Sequence, residues 1–131
     1  MSGHTVIALH DVPDALGDYP GEMRYLTGPL GTRQVALTHR RMPAGTGGKG
    51  SYGHRHRTQE EVYVVTRGRL EFKLGDEVVE VGAGSAVRVA PEVVRSLWNE
   101  GPEDAELFIF STRIEDLRAE VVLKQNFWPA G

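Results

Sequence analysis

Apolar residues in this chain recur in short runs, and almost no segment sustains a helical period. The runs are rich in β-branched and aromatic residues and are bounded by glycine, proline or acidic turn residues, the pattern of strands in an all-β protein. Strands are predicted over "EMRYLT" (22–27), "RQVALTHRRM" (33–42), "EVYVVT" (61–66), "RLEFKL" (69–74), "EVVEV" (77–81), "AVRVA" (86–90), "VRSLW" (94–98), "ELFIFS" (106–111) and "EVVL" (120–123). The tripeptide "GDE" (75–77) between two of them signals a tight hairpin. So many short strands at this spacing imply a sandwich or barrel. One segment carries a helix signal: Thr112 followed by Glu115 resembles a capping box, with Ile114 and Leu117 on one face, although a run this short can equally be an irregular loop. The glycine-rich tip "AGTGGKGSYG" (44–53) lacks the lysine–serine/threonine ending of a phosphate loop and is expected to be a flexible connection.

Composition narrows the function. The 131 residues are 40% hydrophobic, enough for the core of a single domain. The expected division is an N-terminal arm (1–21), a barrel core (22–111) and a C-terminal segment (112–131). A formal net charge of −3 argues against binding nucleic-acid backbone or an anionic membrane. The absence of cysteine excludes disulfides, thiolate metal sites and cysteine nucleophiles. The opening "MSGHTVIALHDVPDAL" has only a five-residue apolar run with no basic stretch before it, unlike a signal peptide or a membrane span, so a soluble, cytoplasmic protein is expected.

The chemistry concentrates in "YGHRHRTQEEVYVVTRG" (52–68). His54 and His56 lie one residue apart, so on a strand they share a face with Cβ atoms about 7 Å apart, a spacing from which two imidazoles can converge on one ion. Arg55 and Arg57 take the opposite parity. A carboxylate would come from Glu60 or Glu61. Glu61 shares its parity with Tyr63 and Val65, Glu60 with Val62 and Val64; both faces are apolar, so alternation alone does not choose.

Gly48, His54, His56, Glu61 and Gly68, at intervals of five, one, four and six residues, resemble the first motif of the cupin superfamily, and the spacing fits throughout only with Glu61 as the carboxylate. The resemblance spans about residues 32 to 111. It implies a small double-stranded jelly-roll β-barrel with His54, His56 and Glu61 inside, holding a divalent ion such as iron, manganese, zinc or nickel. A barrel built in this way but free of metal is the alternative, and surface histidines in a basic turn are the plainest one.

The second cupin motif departs from expectation. In "GAGSAVRVAPEVVRSLWNEG" (82–101), Gly84 and Asn99 fall into register, Ala90 stands at the motif proline with Pro91 beside it, Glu92 stands at the glycine, and Arg95 stands where the fourth ligand, a histidine, is expected. A guanidinium has no lone pair to offer a metal. Either the two histidines and Glu61 hold the ion and Arg95 forks onto an anionic substrate, or Arg95 pairs with Glu61 and the ion is lost. Two unit charges 4 Å apart at an effective dielectric of ~20 interact by about 4 kcal/mol, as attraction to Glu61 or as repulsion of a cation.

Other residues add less. His39 or Arg40 can reach the cavity, one from each face of their strand. Tyr63, Val65 and Leu97 would form its apolar wall, with Tyr63 able to donate a hydrogen bond to a ligand. Trp98, Phe108, Phe110, Phe127 and Trp128 read as packing or subunit contacts, and the tail "QNFWPAG" is expected to dock on its own barrel or on a neighbour. His4 and His10 receive no role. An exposed sheet edge and the aromatic termini suggest a homodimer. Two functions follow: a metal-dependent dioxygenase or isomerase acting on a small anionic molecule, or a non-catalytic ligand-binding or sensing barrel. Too little chain lies outside the barrel for a helix-turn-helix of its own.

Overall fold

The computed structural model describes residues 3–131. Among the described residues eleven strands form: β1 (Glu22–Tyr25), β2 (Val35–Met42), β3 (Thr46–Gly47), β4 (Gly53–His56), β5 (Glu61–Arg67), β6 (Arg69–Leu74), β7 (Glu77–Gly82), β8 (Ala86–Val89), β9 (Arg95–Asn99), β10 (Ala105–Thr112) and β11 (Val121–Lys124). Two single-turn α-helices join them, α1 (Thr27–Leu30) and α2 (Leu117–Glu120), and a 3-10 turn spans Leu9–Asp11 in the N-terminal arm. The strands form two antiparallel sheets, ordered β1-β2-β10-β5-β8 and β11-β4-β9-β6-β7, with β3 added to β9. The layout is a cupin-type jelly roll, and its all-β class is the one the alternating pattern predicts. Among the described residues, no helix is long and apolar enough to cross a membrane.

The core lies between the sheets, where Met42, Tyr63 and Leu107 of the first meet Leu70, Phe72 and Leu97 of the second. Tyr63 and Phe72 close edge-on across the gap, with ring centroids 5.3 Å apart. Alternation then explains why β5 is apolar on both faces. Glu61, Tyr63 and Val65 point inward, while Val62 and Val64 pair in register with Phe110 and Phe108 on the outer face of the first sheet. That outer surface is apolar in its own right, and it hid the distinction between Glu60 and Glu61. Glu60 points outward, where its carboxylate accepts from Arg88 at 3.0 Å.

Two motif glycines are required sterically. Gly68 has φ +69°, and a Cβ there would meet the carbonyl of Asp104; at Gly48 a Cβ would run into the Ser96 side chain. The glycine-rich tip is therefore not the flexible connection expected. It is tied across β9 by Gly45 N–H to Asn99 O (2.7 Å) and Gly48 N–H to Leu97 O (2.7 Å), because bare glycines let the two backbones approach this closely.

Two further expectations change, and a third is met. The first strand stops at Tyr25, since the chain turns through α1 and closes on Gly31 at φ +70°. Thr112 does not cap a helix, because its backbone is still paired in β10 with Val35. The cap is Asp116, whose carboxylate accepts from the N–H groups of Arg118 and Ala119, so the helical turn begins later than the capping-box reading placed it. The aromatic tail docks on its own barrel: Trp128 is buried, its carbonyl accepts from Gly50 N–H at 2.7 Å, and Lys73 sits 3.9 Å over the Phe127 ring.

Asn99 ties the second motif together. Its Nδ2 donates to the carbonyls of Met42 and Glu103, both at 2.8 Å, and its Oδ1 accepts from Gly101 N–H at 2.8 Å. All of this occurs out of solvent, with Asn99 1% exposed. Asn99→Ala orphans buried backbone groups and is expected to cost roughly 2–4 kcal/mol in urea unfolding; a loss below about 0.5 kcal/mol contradicts this account of the asparagine.

Candidate metal centre

β4 and β5 bring the predicted cluster together. On β4, Gly53 clears room for the strand to lie under Phe127, and His54 pairs in register with Arg95 of β9. His54 and His56 stack nearly perpendicular, with ring centroids 5.1 Å apart. Both Nε2 atoms turn toward Glu61 Oε1, at 3.7 Å from His54 and 3.4 Å from His56. One donor atom from each of these three residues lies within 4.8 Å of the others.

The remaining sequence-singled residues complete the surroundings. Tyr63 donates its hydroxyl to Glu61 Oε1 at 2.5 Å. Burial, and then the Glu61 charge, push the Tyr63 phenol well above its ordinary value, so it remains a donor. Arg95 is fully buried, donates from Nη2 to the Ala90 carbonyl at 2.9 Å, and places Nε 3.9 Å from Glu61 Oε1. Its Nε and Nη1 make no hydrogen bond. His39 turns to the outer face, 3.3 Å from Glu106 and against Phe108, whereas Arg40 points inward.

Glu61 is a buried carboxylate held ionised. Burial pushes it up, but the His54 and His56 imidazoles beside it and the hydrogen bond from Tyr63 outweigh that and hold it well below the usual carboxylate range. The histidines fit a metal on their own chemistry. His56 is almost wholly buried, yet neither of its ring nitrogens makes a hydrogen bond, an uncommon expense for a buried polar group unless another partner completes it. The cluster opens on one side. His54 is 31% exposed and, with Arg95, lines a cavity of about 560 Å³ at the barrel mouth, while His56 and Glu61 sit behind.

Sequence reasoning missed Glu120, which it placed at the start of a strand. Glu120 ends α2 and is buried beneath His56, its Oε2 3.4 Å from Nδ1. The same carboxylate accepts from Thr58 N–H (2.9 Å), Thr58 Oγ1 (2.7 Å) and Gln59 N–H (2.7 Å). An anion on the Nδ1 side favours the tautomer with its proton there and leaves the Nε2 lone pair facing Glu61. The only advance sign was an acidic residue opening an apolar run, which is too common to identify it.

A family model described as a cupin domain matches residues 39–111, and the chain belongs to the cupin family. A cupin protein from Bacteroides fragilis is 20% identical, with a TM-score of 0.70 over 88% of this chain and 89% of that one. A sugar phosphate isomerase of the cupin superfamily from Silicibacter pomeroyi is 17% identical, with a TM-score of 0.71 over 93% of each chain. A predicted oxalate decarboxylase from Thermotoga maritima is 18% identical, with a TM-score of 0.67 over 84% of this chain and all of that one. At these identities the likeness shows the fold. No curated protein sequence matches this chain.

Burial tends to raise the Glu120 carboxyl, but hydrogen bonds from Thr58 and Gln59 prevail and bring it down from 4.5 to about 2. A carboxylate depressed on folding contributes stability above its unfolded value that is lost as pH falls toward its folded one. Wild type should therefore lose stability as pH drops from about 4.5 to about 2, and Glu120→Gln should be less stable at neutral pH with a shallower acid slope. Identical acid-side slopes in chemical denaturation of the two proteins contradict the assigned role.

Proposed function

We propose that this cupin binds a divalent metal through His54, His56 and Glu61 and acts on a small anionic organic molecule, with dioxygenase or isomerase chemistry. The observation that carries the reading is the convergence of three donor atoms within 4.8 Å, including a buried imidazole nitrogen without a hydrogen bond. Iron, manganese, nickel or zinc suits such a donor set, and the bound ion would supply Lewis-acid polarisation of a ligand oxygen, or oxygen chemistry if it is iron. The chain's own residues do the rest. Glu120 orients His56, and Tyr63 holds the Glu61 oxygen, a supporting hydrogen bond beside the ligand-binding role its type suggests. Arg95 lines the cavity beside His54 and keeps Nε and Nη1 without a partner, so it would be the group to receive a carboxylate or phosphate. The relatives named as a sugar phosphate isomerase and an oxalate decarboxylase bear names that refer to small anions, which agrees with this class of ligand.

One observation favours a second reading. Arg95 Nε stands 3.9 Å from Glu61 Oε1, close enough for partial charge compensation without an ion. In that case the barrel is a metal-free, non-catalytic ligand-binding or sensing module.

Metal analysis of protein purified without chelators decides between the two. One equivalent of metal per chain in wild type, and only traces in a His54→Ala, His56→Ala double variant, is expected. Titration with manganese or nickel should raise the melting temperature of wild type alone, by the equivalent of about 2.7 kcal/mol at a free ion concentration a hundredfold above Kd. Wild type with trace metal and no response to any of the four ions leaves the second reading standing.

Arg95→Met, which keeps the volume and removes the charge, is expected to retain metal and lose stabilisation by small carboxylic acids. Acid binding that persists in Arg95→Met removes the arginine from the ligand site. Oxygen uptake, or isomer formation from candidate hydroxy acids, in iron-loaded protein then separates an enzyme from a binder.

A further inference from the structure

β2 carries two adjacent arginines with opposite circumstances. Arg41, on the outer face, donates from Nε to Glu22 at 3.0 Å and from Nη1 to Asp104 at 2.9 Å. Arg40, on the inner face, makes no hydrogen bond or ion pair among the described residues, and its Nε is buried without a partner. Burial pulls its guanidinium below the ordinary arginine value, and the titratable groups acting on it most are the neutral phenols of tyrosines 19, 63, 52 and 25, none of them a carboxylate. In a chain with more acidic than basic residues, this is an unusual vacancy.

Arg40 opens onto the same cavity as Arg95 and His54. The two arginines come from different sheets, β2 from the first and β9 from the second. The cavity wall includes no aspartate or glutamate. Tyr25 and Tyr52 add phenol rings beside Arg40, and neither hydroxyl makes a hydrogen bond among the described residues. Tyr19 of the N-terminal arm closes this end, accepting from Gly47 N–H at 2.9 Å.

We propose that Arg40 is a second anion-binding group and that the cavity takes a small molecule bearing two anionic groups, one held by Arg95 beside the metal residues and the other by Arg40. Arg95 already has Glu61 at 3.9 Å, so a single negative group held beside the metal residues would leave Arg40 without a counter-charge, whereas a second negative group on the same molecule supplies one. The ligand class is thus a dicarboxylate or a phosphorylated carboxylate, with hydroxyls, if present, facing Tyr25 and Tyr52. This rests on the anion-binding role given to Arg95 but does not require the metal.

Calorimetric titration of the full chain with matched pairs tests it: succinate against butyrate, and 3-phosphoglycerate against glycerate. At least one doubly charged member should bind about tenfold or more tightly than its partner, and the pair that shows the preference identifies carboxylate or phosphate as the second group. In Arg40→Met that preference should fall to about twofold or less, while the ligand-free protein melts at a higher temperature because a desolvated charge is gone. A purely structural arginine would lower the melting temperature when replaced. Equal affinities within both pairs, no binding of either pair, or a preference that survives in Arg40→Met overturns the proposal. Should Arg40→Met not fold, Arg40→Gln replaces it in the same comparison. Metal content measured on the same samples separates the outcomes: dianion preference without metal retires the metal reading alone, and metal without preference retires this one alone.

Discussion

A carboxylate buried between two sheets must be given partners, and much of this molecule's interior is arranged to do so. Glu61 receives the Tyr63 hydroxyl from its own strand, two imidazoles from β4 and the flank of a guanidinium from β9. Moving an ionised carboxylate out of water unaided costs several kcal/mol even after relaxation. These elements can therefore pack only in the register that keeps their polar ends on this point. The hydrophobic core closes immediately behind it through Tyr63 and Phe72, so the same tyrosine belongs to both the core and the site.

Charge balance gives the site its character. Glu61 and Arg95 stand as one negative and one positive charge in near contact. A divalent ion on the proposed ligands would add two positive charges beside a guanidinium that cannot lose its proton. Glu120, behind His56, offsets part of that excess from the far side. A negative ligand on the open side offsets more, so metal and anion binding should favour each other. Arg95, standing where the resemblance expects a histidine, would thus withhold a metal ligand and add a reason for a bound molecule to be an anion.

β2 shows how a single strand serves two surroundings. Its outer face carries Arg41 into a network with Glu22 and Asp104, which ties β2 to β1 and to the residue before β10 with modest stability. Its inner face carries Arg40 into a cavity with no carboxylate on its wall. Adjacent residues of one type differ because side chains alternate across the sheet. The N-terminal arm, through Leu16 and Tyr19, supplies part of the wall at that end, so the cavity is closed by chain outside the family match as well as by the barrel.

The features legible in advance were those with local physical signatures. Period-two runs marked the strands, with β6 found at its predicted bounds, because alternation depends only on which face meets the core. The spacing of Gly48, His54, His56, Glu61 and Gly68 picked out residues that converge because each position answers a short-range demand: a bare Cα under Ser96, a shared face, a left-handed turn. What required tertiary structure was everything set by partners distant along the chain. The outer pairing of Val62 and Val64 with β10 turns Glu61 inward, where the apolar pattern of β5 alone was symmetric. Contact with β9 holds the glycine-rich tip that composition suggested would be loose, and pairing with Val35 keeps Thr112 in a strand. Glu120 beneath His56 and Arg40 opposite Arg95 emerge only when the sheets close on one another, because a local pattern records which way a side chain points and carries no record of what it will meet.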